Sequence, residues 1–277
     1  MRVALAQLDS SIGVVDRNLD QIRELMDQAN ADGADLTVFP ELAVHGYSLG
    51  QVPDCRQLLA RDERLAELAS GHSDVLVGFH EDGGVRAYNS AAYLSNSQLV
   101  HVHRKLYLSN YLVWEERKHS SPGQSLRAFD TAYARTATLI CNDAWQPAVP
   151  WLAAQDGAEL LLVPTNSAGN LGADKLDNRA YWERLLESIG RMQQAWVVFV
   201  NRVGSEAGGD FWGGSRVIDP RGEVVVQAPY GEPSLTCVDI DIAVARRFRR
   251  ELPLIAEARL GLIERETTRL IQEGGDA

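Results

Sequence analysis

Short apolar segments that stop at a polar or turn-forming residue recur along the chain, and they limit the possible folds more than any other feature. Examples are DLTVF (35–39), TATLIC (136–141) and ELLLVP (159–164). Short apolar runs bounded by turn signals are typical of strands buried in a sheet. Helical periodicity separates several of them, so the sequence predicts an α/β domain with a mixed sheet system.

Several stretches between these segments have the apolar spacing of helices. From Asn18 onward, Leu19, Ile22 and Met26 fall on one helical face, and we expect further helices over 56–69 and 177–194. The sequences Asp-Gly-Gly and Pro-Arg-Gly mark hairpin turns. The chain has 277 residues and no low-complexity linker or repeat, which indicates one large domain with a polar, partly helical tail.

Some of the predicted strands end in a side chain that is unusual for a protein core. LTVFPE ends in Glu41, LVHVHRK in Lys105 and TATLIC in Cys141. In α/β proteins, functional sites collect at the carboxyl ends of strands because the loops diverge there. Taken singly, such a cysteine is usually packed as a small apolar residue, and such a Glu or Lys is usually solvated. Together they supply a base, a cation and a nucleophile.

These residue types suit the hydrolysis of a carbon–nitrogen bond. A thiol with an ordinary pKa of about 8.5 is mostly protonated at neutral pH, so a carboxylate must take its proton as it attacks a carbonyl carbon. A lysine ammonium and a backbone N–H can stabilise the oxyanion that develops. The carboxylic acid so formed can protonate a leaving amine, and water then releases the acyl group from a thioester.

Two rival classes remain open for the same residues. A catalytically silent relative would act as a binding or assembly module, although it would be free to lose one of the three side chains that this chain retains. A papain-like cysteine protease needs a histidine partner and a different sequence around its nucleophile. We therefore expect an enzyme, with the silent binding module as the alternative.

The segments around these residues resemble the signature blocks of the nitrilase, or carbon–nitrogen hydrolase, superfamily. The blocks are VFPELAVHGY, HRKLYLSNYLVWEERKHSSPG and TLICNDAWQP, in the family's order, and the likeness continues through LLVPTNSAGN and AWVVFVNRVG. The resemblance implies a four-layer αββα sandwich. It also implies a hydrolase domain over 1–255, a tail over 256–277, and a homodimer or larger homo-oligomer.

The same resemblance implies a role for each matching residue. Glu41 matches the general base, Lys105 the catalytic lysine and Cys141 the nucleophile. Glu116 matches a second glutamate that orients the lysine and the substrate, although the adjacent Glu115 is an alternative for this position. The backbone N–H of Asn142 would complete the oxyanion hole.

The substrate class is less constrained. The first two blocks are most similar to the glutamine-hydrolysing domain of glutamine-dependent NAD synthetases, but no Ser-Gly-Gly loop for ATP follows. We expect a free-standing amidase, with a glutaminase-like ammonia-supplying subunit, an N-carbamoyl hydrolase or a nitrilase as alternatives. Cys-Asn-Asp in place of Cys-Trp-Glu argues against nitriles. The expected substrate contacts, besides Asn142, are Tyr47, Tyr111, Trp145, Asn166 and Ser167, and the candidate cations for a substrate carboxylate are Lys175 and Arg179.

The composition restricts the partners. A formal net charge of −11 without a long Lys/Arg run argues against nucleic acid or an anionic membrane as partner, so we expect a small-molecule amide. No metal-ligand motif appears, and we expect no metal and no cofactor. The three cysteines do not form a disulfide framework, and the start lacks a signal peptide, so we expect a cytoplasmic protein.

Overall fold

The computed structural model describes residues 1–52, 56–111, 114–169, 178–206 and 208–274. Its helices and strands follow in chain order: β1 (Arg2–Gln7), α1 (Val15–Ala31), β2 (Leu36–Val38), α2 (Glu63–Ala66), β3 (Asp74–Asp82), β4 (Ala87–Ser95), β5 (Gln98–Arg104), β6 (Phe129–Asp130), β7 (Arg135–Thr138), α3 (Ala148–Gln155), β8 (Leu160–Thr165), β9 (Ala168–Gly169), α4 (Asn178–Gln193), β10 (Trp196–Asn201), β11 (Val203–Glu206), β12 (Gly209–Trp212), β13 (Arg216–Ile218), β14 (Val224–Gln227), β15 (Ser234–Asp239), α5 (Ala243–Glu251) and α6 (Leu260–Gln272).

Two six-stranded sheets hold most of the strands. Their orders are β15-β1-β2-β3-β4-β5 and β14-β13-β10-β8-β7-β6, and a small third sheet has the order β11-β12-β9. The strands β1, β2 and β3 run parallel, as do β7, β8 and β10, while hairpins add antiparallel strands at the edges. Parallel neighbours end at the same edge of a sheet, so the loops after β7 and β8 gather at one edge of the second sheet. The loop after β2 of the first sheet meets them there, since the backbone of Asn166 contacts Glu41.

The two large sheets face each other, and helices cover their outer faces. Along β1, Val3 and Leu5 belong to the apolar cluster between the sheets, whereas Ala6 packs in a separate cluster with Leu19 and Ile22 of α1. This alternation follows from the two-residue period of side chains along a strand. Helix α4 contacts β10 and β13 of the second sheet. The predicted αββα sandwich is therefore confirmed.

The helix predicted over 56–69 is wrong for its first half. Leu58 forms a parallel bridge with Glu81, and the helical turn starts only at Glu63, with a 3₁₀ turn over Glu67–Ala69. Asp62 explains the late start, because its side chain accepts a hydrogen bond from the backbone N–H of Arg64 at 3.0 Å and caps the helix.

The last helices lie beyond the sheets. Helix α5 buries Ala245, whereas no residue of α6 is buried. The predicted helical character of the tail matches α6, and the division of the chain near residue 255 stays a prediction.

Candidate active site

Lys105 links two carboxylates in the interior. It follows β5 directly, and its Nζ donates hydrogen bonds to Glu41 Oε1 at 2.6 Å and to Glu116 Oε1 at 2.7 Å. The side chains of Lys105 and Glu41 have no exposed surface, and that of Glu116 has 8%. A buried charge without a partner is strongly destabilising, so the three groups require one another.

Two further hydrogen bonds hold the Glu41 carboxylate in place, one from within a strand and one from just after another strand. Asn89 Nδ2 of β4 donates to Glu41 Oε1 at 2.7 Å, and the backbone N–H of Asn166, just after β8, donates to Glu41 Oε2 at 2.9 Å. The turn after Glu41 lies against Gly78 of β3, where an added Cβ would come within 2.4 Å of the Leu42 nitrogen. A side chain at this position would therefore push the carboxylate out of reach of Lys105.

Cys141 occupies a strained turn just beyond β7. It begins the 3₁₀ turn Cys141–Trp145 and has φ 48°, a left-handed conformation that residues other than glycine rarely adopt. Its side chain is buried, and Asn166, whose backbone N–H donates to Glu41, lines the same cavity as the cysteine. Strain of this kind persists where the surroundings fix the backbone, as they do at many reactive residues.

The pKa shifts in this cluster follow from burial and mutual charge. Burial raises the pKa of the Cys141 thiol well above its ordinary value, and the Glu41 carboxylate adds to this effect. Burial likewise raises the pKa of Glu41, against the opposing charge of Lys105. Burial alone would lower the pKa of Lys105, but Glu116 and Glu41 outweigh it and raise that pKa. At neutral pH the thiol is therefore protonated and the lysine is charged.

Glu116, and not Glu115, is the glutamate that faces Lys105. Its second carboxylate oxygen accepts a hydrogen bond from the backbone N–H of Ser109 at 2.8 Å, which fixes the carboxylate. Glu115 points outward, with 59% of its side chain exposed, and pairs with Lys118 at 2.7 Å. The position matched by the resemblance thus lies in the cluster.

A small cavity of about 20 Å³ lies beside the Cys141 thiol. Both aromatic and polar side chains line it, and the described lining residues are Tyr47, Ser109, Tyr111, Trp114, Cys141, Trp145, Asn166, Ser167, Ala168, Asn178 and Trp182. Tyr47 meets the edge of Trp114 at a ring distance of 4.9 Å, and Trp145 stacks on Tyr181 at 4.7 Å. The packed rings favour a small, largely neutral group beside the thiol.

The structure places most of the predicted contact residues around this cavity. Tyr47, Tyr111, Trp145, Asn166 and Ser167 all line it. Asn142 is half-buried in the turn next to the cysteine, and its role as an oxyanion donor stays a prediction.

The candidate cations are not part of the described wall. The Arg179 guanidinium lies over the ring of Tyr230 at 5.0 Å, and Arg179 is not among the described residues that line the cavity. Lys175 and Cys55 lie outside the described residues, so no contact is assigned to either.

Sequence reasoning missed Asn89, Trp114 and Trp182 as parts of the site. Asn89 donates to Glu41, whereas the two tryptophans line the cavity. A signal existed for Asn89 alone, because a buried amide within a strand such as β4 needs a hydrogen-bond partner. The tryptophans belong to a loop and to a helix whose apolar positions look like ordinary core.

The described residues contain neither a metal-binding cluster nor a membrane-spanning helix. No group of three or more His, Cys, Asp or Glu side chains is arranged there to hold a metal ion. None of the helices in the same part of the chain combines the length and the apolar character that crossing a membrane requires.

Comparison with known proteins places this geometry in context. The Carbon-nitrogen hydrolase family model matches residues 2–250. The chain is 30% identical over 254 residues to a glutamine-dependent NAD(+) synthetase of Thermotoga maritima, which covers 87% of this chain and 42% of that protein. It is 30% identical over 276 residues to an omega-amidase of Bos taurus, with 96% and 97% covered. The chain spans about half the length of the NAD synthetases that it matches.

Solved structures show the same architecture. The E41Q mutant of the amidase from Nesterenkonia sp. AN1 matches with a TM-score of 0.81 and 25% identity over 96% of both chains. In that structure, the acetamide moiety of fluoroacetamide is covalently added at the active-site cysteine. The glutamine-dependent NAD+ synthetase from Acinetobacter baumannii matches with a TM-score of 0.77 and 27% identity, covering 88% of this chain and 46% of that one.

Proposed function

Because the chain belongs to the carbon–nitrogen hydrolase family, we propose that it hydrolyses the C–N bond of a small-molecule amide through a thioester on Cys141. One observation carries the proposal: the Lys105 ammonium lies 2.6 Å from Glu41 and 2.7 Å from Glu116, next to a buried thiol that opens on a small cavity. This set contains a nucleophile, a base and a fixed positive charge. It contains no histidine, and the chemistry requires none.

In the first half-reaction, Glu41 takes the proton of the Cys141 thiol while the sulfur attacks the carbonyl carbon of the amide. The raised pKa of the thiol means that this proton leaves only as the carbon–sulfur bond forms. Glu41 then gives the proton to the amide nitrogen, the carbon–nitrogen bond breaks, and ammonia or an amine departs. The acyl group remains on sulfur as a thioester.

In the second half-reaction, water attacks the thioester carbon and gives a proton to Glu41. The carbon–sulfur bond breaks, the sulfur takes that proton back, and the carboxylic acid leaves. Glu41 therefore acts as base and then acid in each half, which suits a carboxyl group whose pKa is raised by burial toward the working pH.

Lys105 makes no proton transfer in this scheme. Its ammonium is held by two carboxylates and stabilises the oxyanion in both tetrahedral intermediates, together with the backbone N–H of Asn142. Glu116 fixes the position of the Lys105 ammonium. The backbone N–H of Ser109 in turn fixes the Glu116 carboxylate. A donor that is already in place costs no reorganisation when the charge develops.

The cavity supports a small primary amide as substrate. Its volume of about 20 Å³ is close to the space of one water molecule, and both aromatic rings and polar side chains line it. A carboxamide head fits against such walls, with the rest of the substrate extending outward. The similarity to an omega-amidase over nearly its whole length supports the same class.

Glutamine as ammonia donor is the second candidate. Similarity to several glutamine-dependent NAD(+) synthetases favours it, although this chain spans about half of their length. In that case the released ammonia would serve a separate acceptor enzyme.

Intact-protein mass spectrometry tests the proposal directly. Wild-type protein, quenched with acid during turnover of a panel of primary amides that includes glutamine, should gain the mass of the acyl group. Cys141→Ala should show no adduct and no turnover. Cys237→Ala is the matched control, because this second described thiol lies in β15 and should leave both unchanged. Turnover or an adduct in Cys141→Ala would refute the thioester.

The remaining expectations join the proposal. We propose that the chain works in the cytoplasm as a homodimer or larger homo-oligomer, with its hydrolase domain over 1–255. Exposed apolar side chains on α3 and α4, namely Leu152, Tyr181 and Met192, support association through these helices. Light scattering of wild-type protein tests the oligomer.

A further inference from the structure

One buried carboxylate joins the two segments that carry Lys105 and Cys141. Asp143 Oδ1 accepts hydrogen bonds from the backbone N–H groups of Leu106 and Tyr107, each at 2.9 Å. Asp143 Oδ2 accepts from the backbone N–H of Ile140 at 3.0 Å and from His103 Nε2 at 2.9 Å. Every donor therefore lies within two residues of Lys105 or Cys141 along the chain.

The positions of these donors along the chain connect Asp143 to both Lys105 and Cys141. Leu106 follows Lys105 directly, His103 precedes that lysine by two residues on the same strand face, and Ile140 precedes Cys141 directly. Asp143 is fully buried and is not one of the described residues that line the cavity. It touches no substrate position, so any effect on the reaction must pass through its neighbours.

The strained turn at Cys141 depends on the same carboxylate. The Asp143 N–H donates to the Ile140 carbonyl at 3.0 Å while its side chain accepts from the Ile140 N–H, so the turn is closed in both directions around the cysteine. With φ at 48°, Cys141 would relax toward an ordinary conformation once this clamp opened. The thiol and the N–H of Asn142 would then leave their positions together.

We propose that Asp143, with His103 as its buried partner, is the positioning residue that fixes the nucleophile turn against the lysine strand. The inference rests on the proposed amide hydrolysis and adds a named residue pair to it. His103 supplies the N–H that satisfies the remaining carboxylate lone pair and ties the turn to β5. The pair acts on the geometry of attack and of the oxyanion site, so it affects kcat rather than substrate affinity.

Asp143→Asn tests the inference without changing the size of the side chain. All four groups around Asp143 are placed as donors, and an amide has one acceptor oxygen and one donor NH₂. In either orientation at least one backbone N–H, of Ile140 or of Leu106 and Tyr107, faces another donor. We expect kcat per active site to fall roughly 10²-fold, because a displacement of about 1 Å costs that much, with KM changed less than about threefold. Active sites are counted by iodoacetamide labelling of Cys141.

The matched control is Asp74→Asn. Asp74 is also a buried carboxylate, it accepts the Tyr93 hydroxyl at 2.8 Å, and it lies at the start of β3, far from the strand ends of the site. It should keep wild-type kcat even where it lowers stability. If Asp143 had only a structural role, Asp143→Asn would have fewer labelled active sites, and each labelled site would keep the wild-type kcat. That result would overturn the inference.

A second pair of variants keeps the test valid if Asp143→Asn does not fold. His103→Gln retains an N–H donor for Asp143, whereas His103→Leu does not. We expect the kcat of His103→Gln to be at least tenfold higher than that of His103→Leu. Equal values for the two variants would overturn the role of the pair. If wild-type protein hydrolyses no amide, the proposed function fails and takes the inference with it. Wild-type turnover with unchanged kcat in Asp143→Asn refutes the inference alone.

Discussion

Replacing Glu116 by Gln removes one of the two carboxylates that face Lys105 and keeps the shape of the side chain. The Lys105–Glu116 contact is 2.7 Å long and buried on both sides. Breaking a buried ion pair costs about 3–5 kcal/mol. The lower figure applies here, because Lys105 keeps Glu41 at 2.6 Å and the Gln oxygen can still accept its N–H. If a loss of about 3 kcal/mol falls on the transition state, kcat drops roughly 10²-fold.

The pH dependence of the same variant has a definite sign. Burial raises the pKa of Glu41, and the Glu116 carboxylate adds to that rise. The reaction needs Glu41 ionised, so activity is lost as the pH falls through this raised pKa. Removing the charge of Glu116 lowers the pKa of Glu41. The acid limb of kcat/KM should therefore move to lower pH in Glu116→Gln, even as the maximal rate decreases.

Glu115→Gln is the control for both measurements. It changes the adjacent residue in the same way, but the Glu115 side chain is 59% exposed and pairs only with Lys118 among the described contacts. Steady-state kinetics of a chromogenic amide between pH 4 and pH 9, as an approximate working window, should show wild-type behaviour for this control. If Glu116→Gln stays within threefold of wild type with an unmoved acid limb, Glu116 does not orient Lys105.

Three further outcomes follow from the structure. Glu41→Gln should acylate Cys141 with an activated ester, whose leaving group needs no acid, and then stall as the thioester. Glu206→Gln should raise KM at least tenfold, because the Glu206 carboxylate accepts the backbone N–H groups of Tyr47 and the next residue and so fixes the cavity wall. The free energy of unfolding of wild-type protein should decrease between pH 7 and pH 5. In His45→Gln that decrease should be smaller by about 2 kcal/mol.

Each of these outcomes has its own measurement. Single-turnover mass spectrometry with matched ester and amide reports the stalled thioester, and equal wild-type turnover of both would remove Glu41 as the base. Steady-state kinetics report KM, with Asp210→Asn on the exposed side of the same hairpin as control.

Urea unfolding reports the effect at His45, whose sign follows from its environment. Burial lowers the pKa of His45 to about 4, so below the ordinary histidine pKa the unfolded chain binds a proton that the folded chain refuses. The free energy of unfolding therefore decreases as the pH is lowered from about 6.5 to 4. An identical pH dependence in His45→Gln would contradict this assignment.

Strand-end reasoning anticipated the residues that the structure brings together. Apolar runs locate strands well, and strands of one sheet that run in the same direction end at a common edge. Strands β2 and β5 do so, because β4 is antiparallel to both β3 and β5 while β2 and β3 are parallel. Glu41 and Lys105 therefore share a site although 64 positions separate them. Glu116 needed the family resemblance, because its loop has no periodicity, and only the contact with Lys105 distinguishes it from Glu115.

Contacts made by buried polar groups were beyond the sequence. Asn89 and Asp143 are both buried, and the partners Glu41 and Leu106 come from distant segments of the chain. Periodicity reports which face of an element is buried, but not which distant donor a polar atom meets there. The same reason explains the error over 56–69, where apolar spacing fits a helix and one capping bond at Asp62 delays its start.

The charge balance of the site explains why its thiol can be buried and still react. One ammonium faces two carboxylates, so the cluster keeps an excess negative charge that, with burial, holds the Cys141 pKa high and the thiol protonated. A cysteine paired with a cationic histidine would instead rest as a thiolate and react with any electrophile that reached it. Here the proton leaves only when a carbonyl in the cavity accepts the sulfur and Lys105 stabilises the resulting oxyanion. Reactivity thus arises when a substrate carbonyl is placed against the protonated thiol, and not from a thiolate that is already present in the resting site.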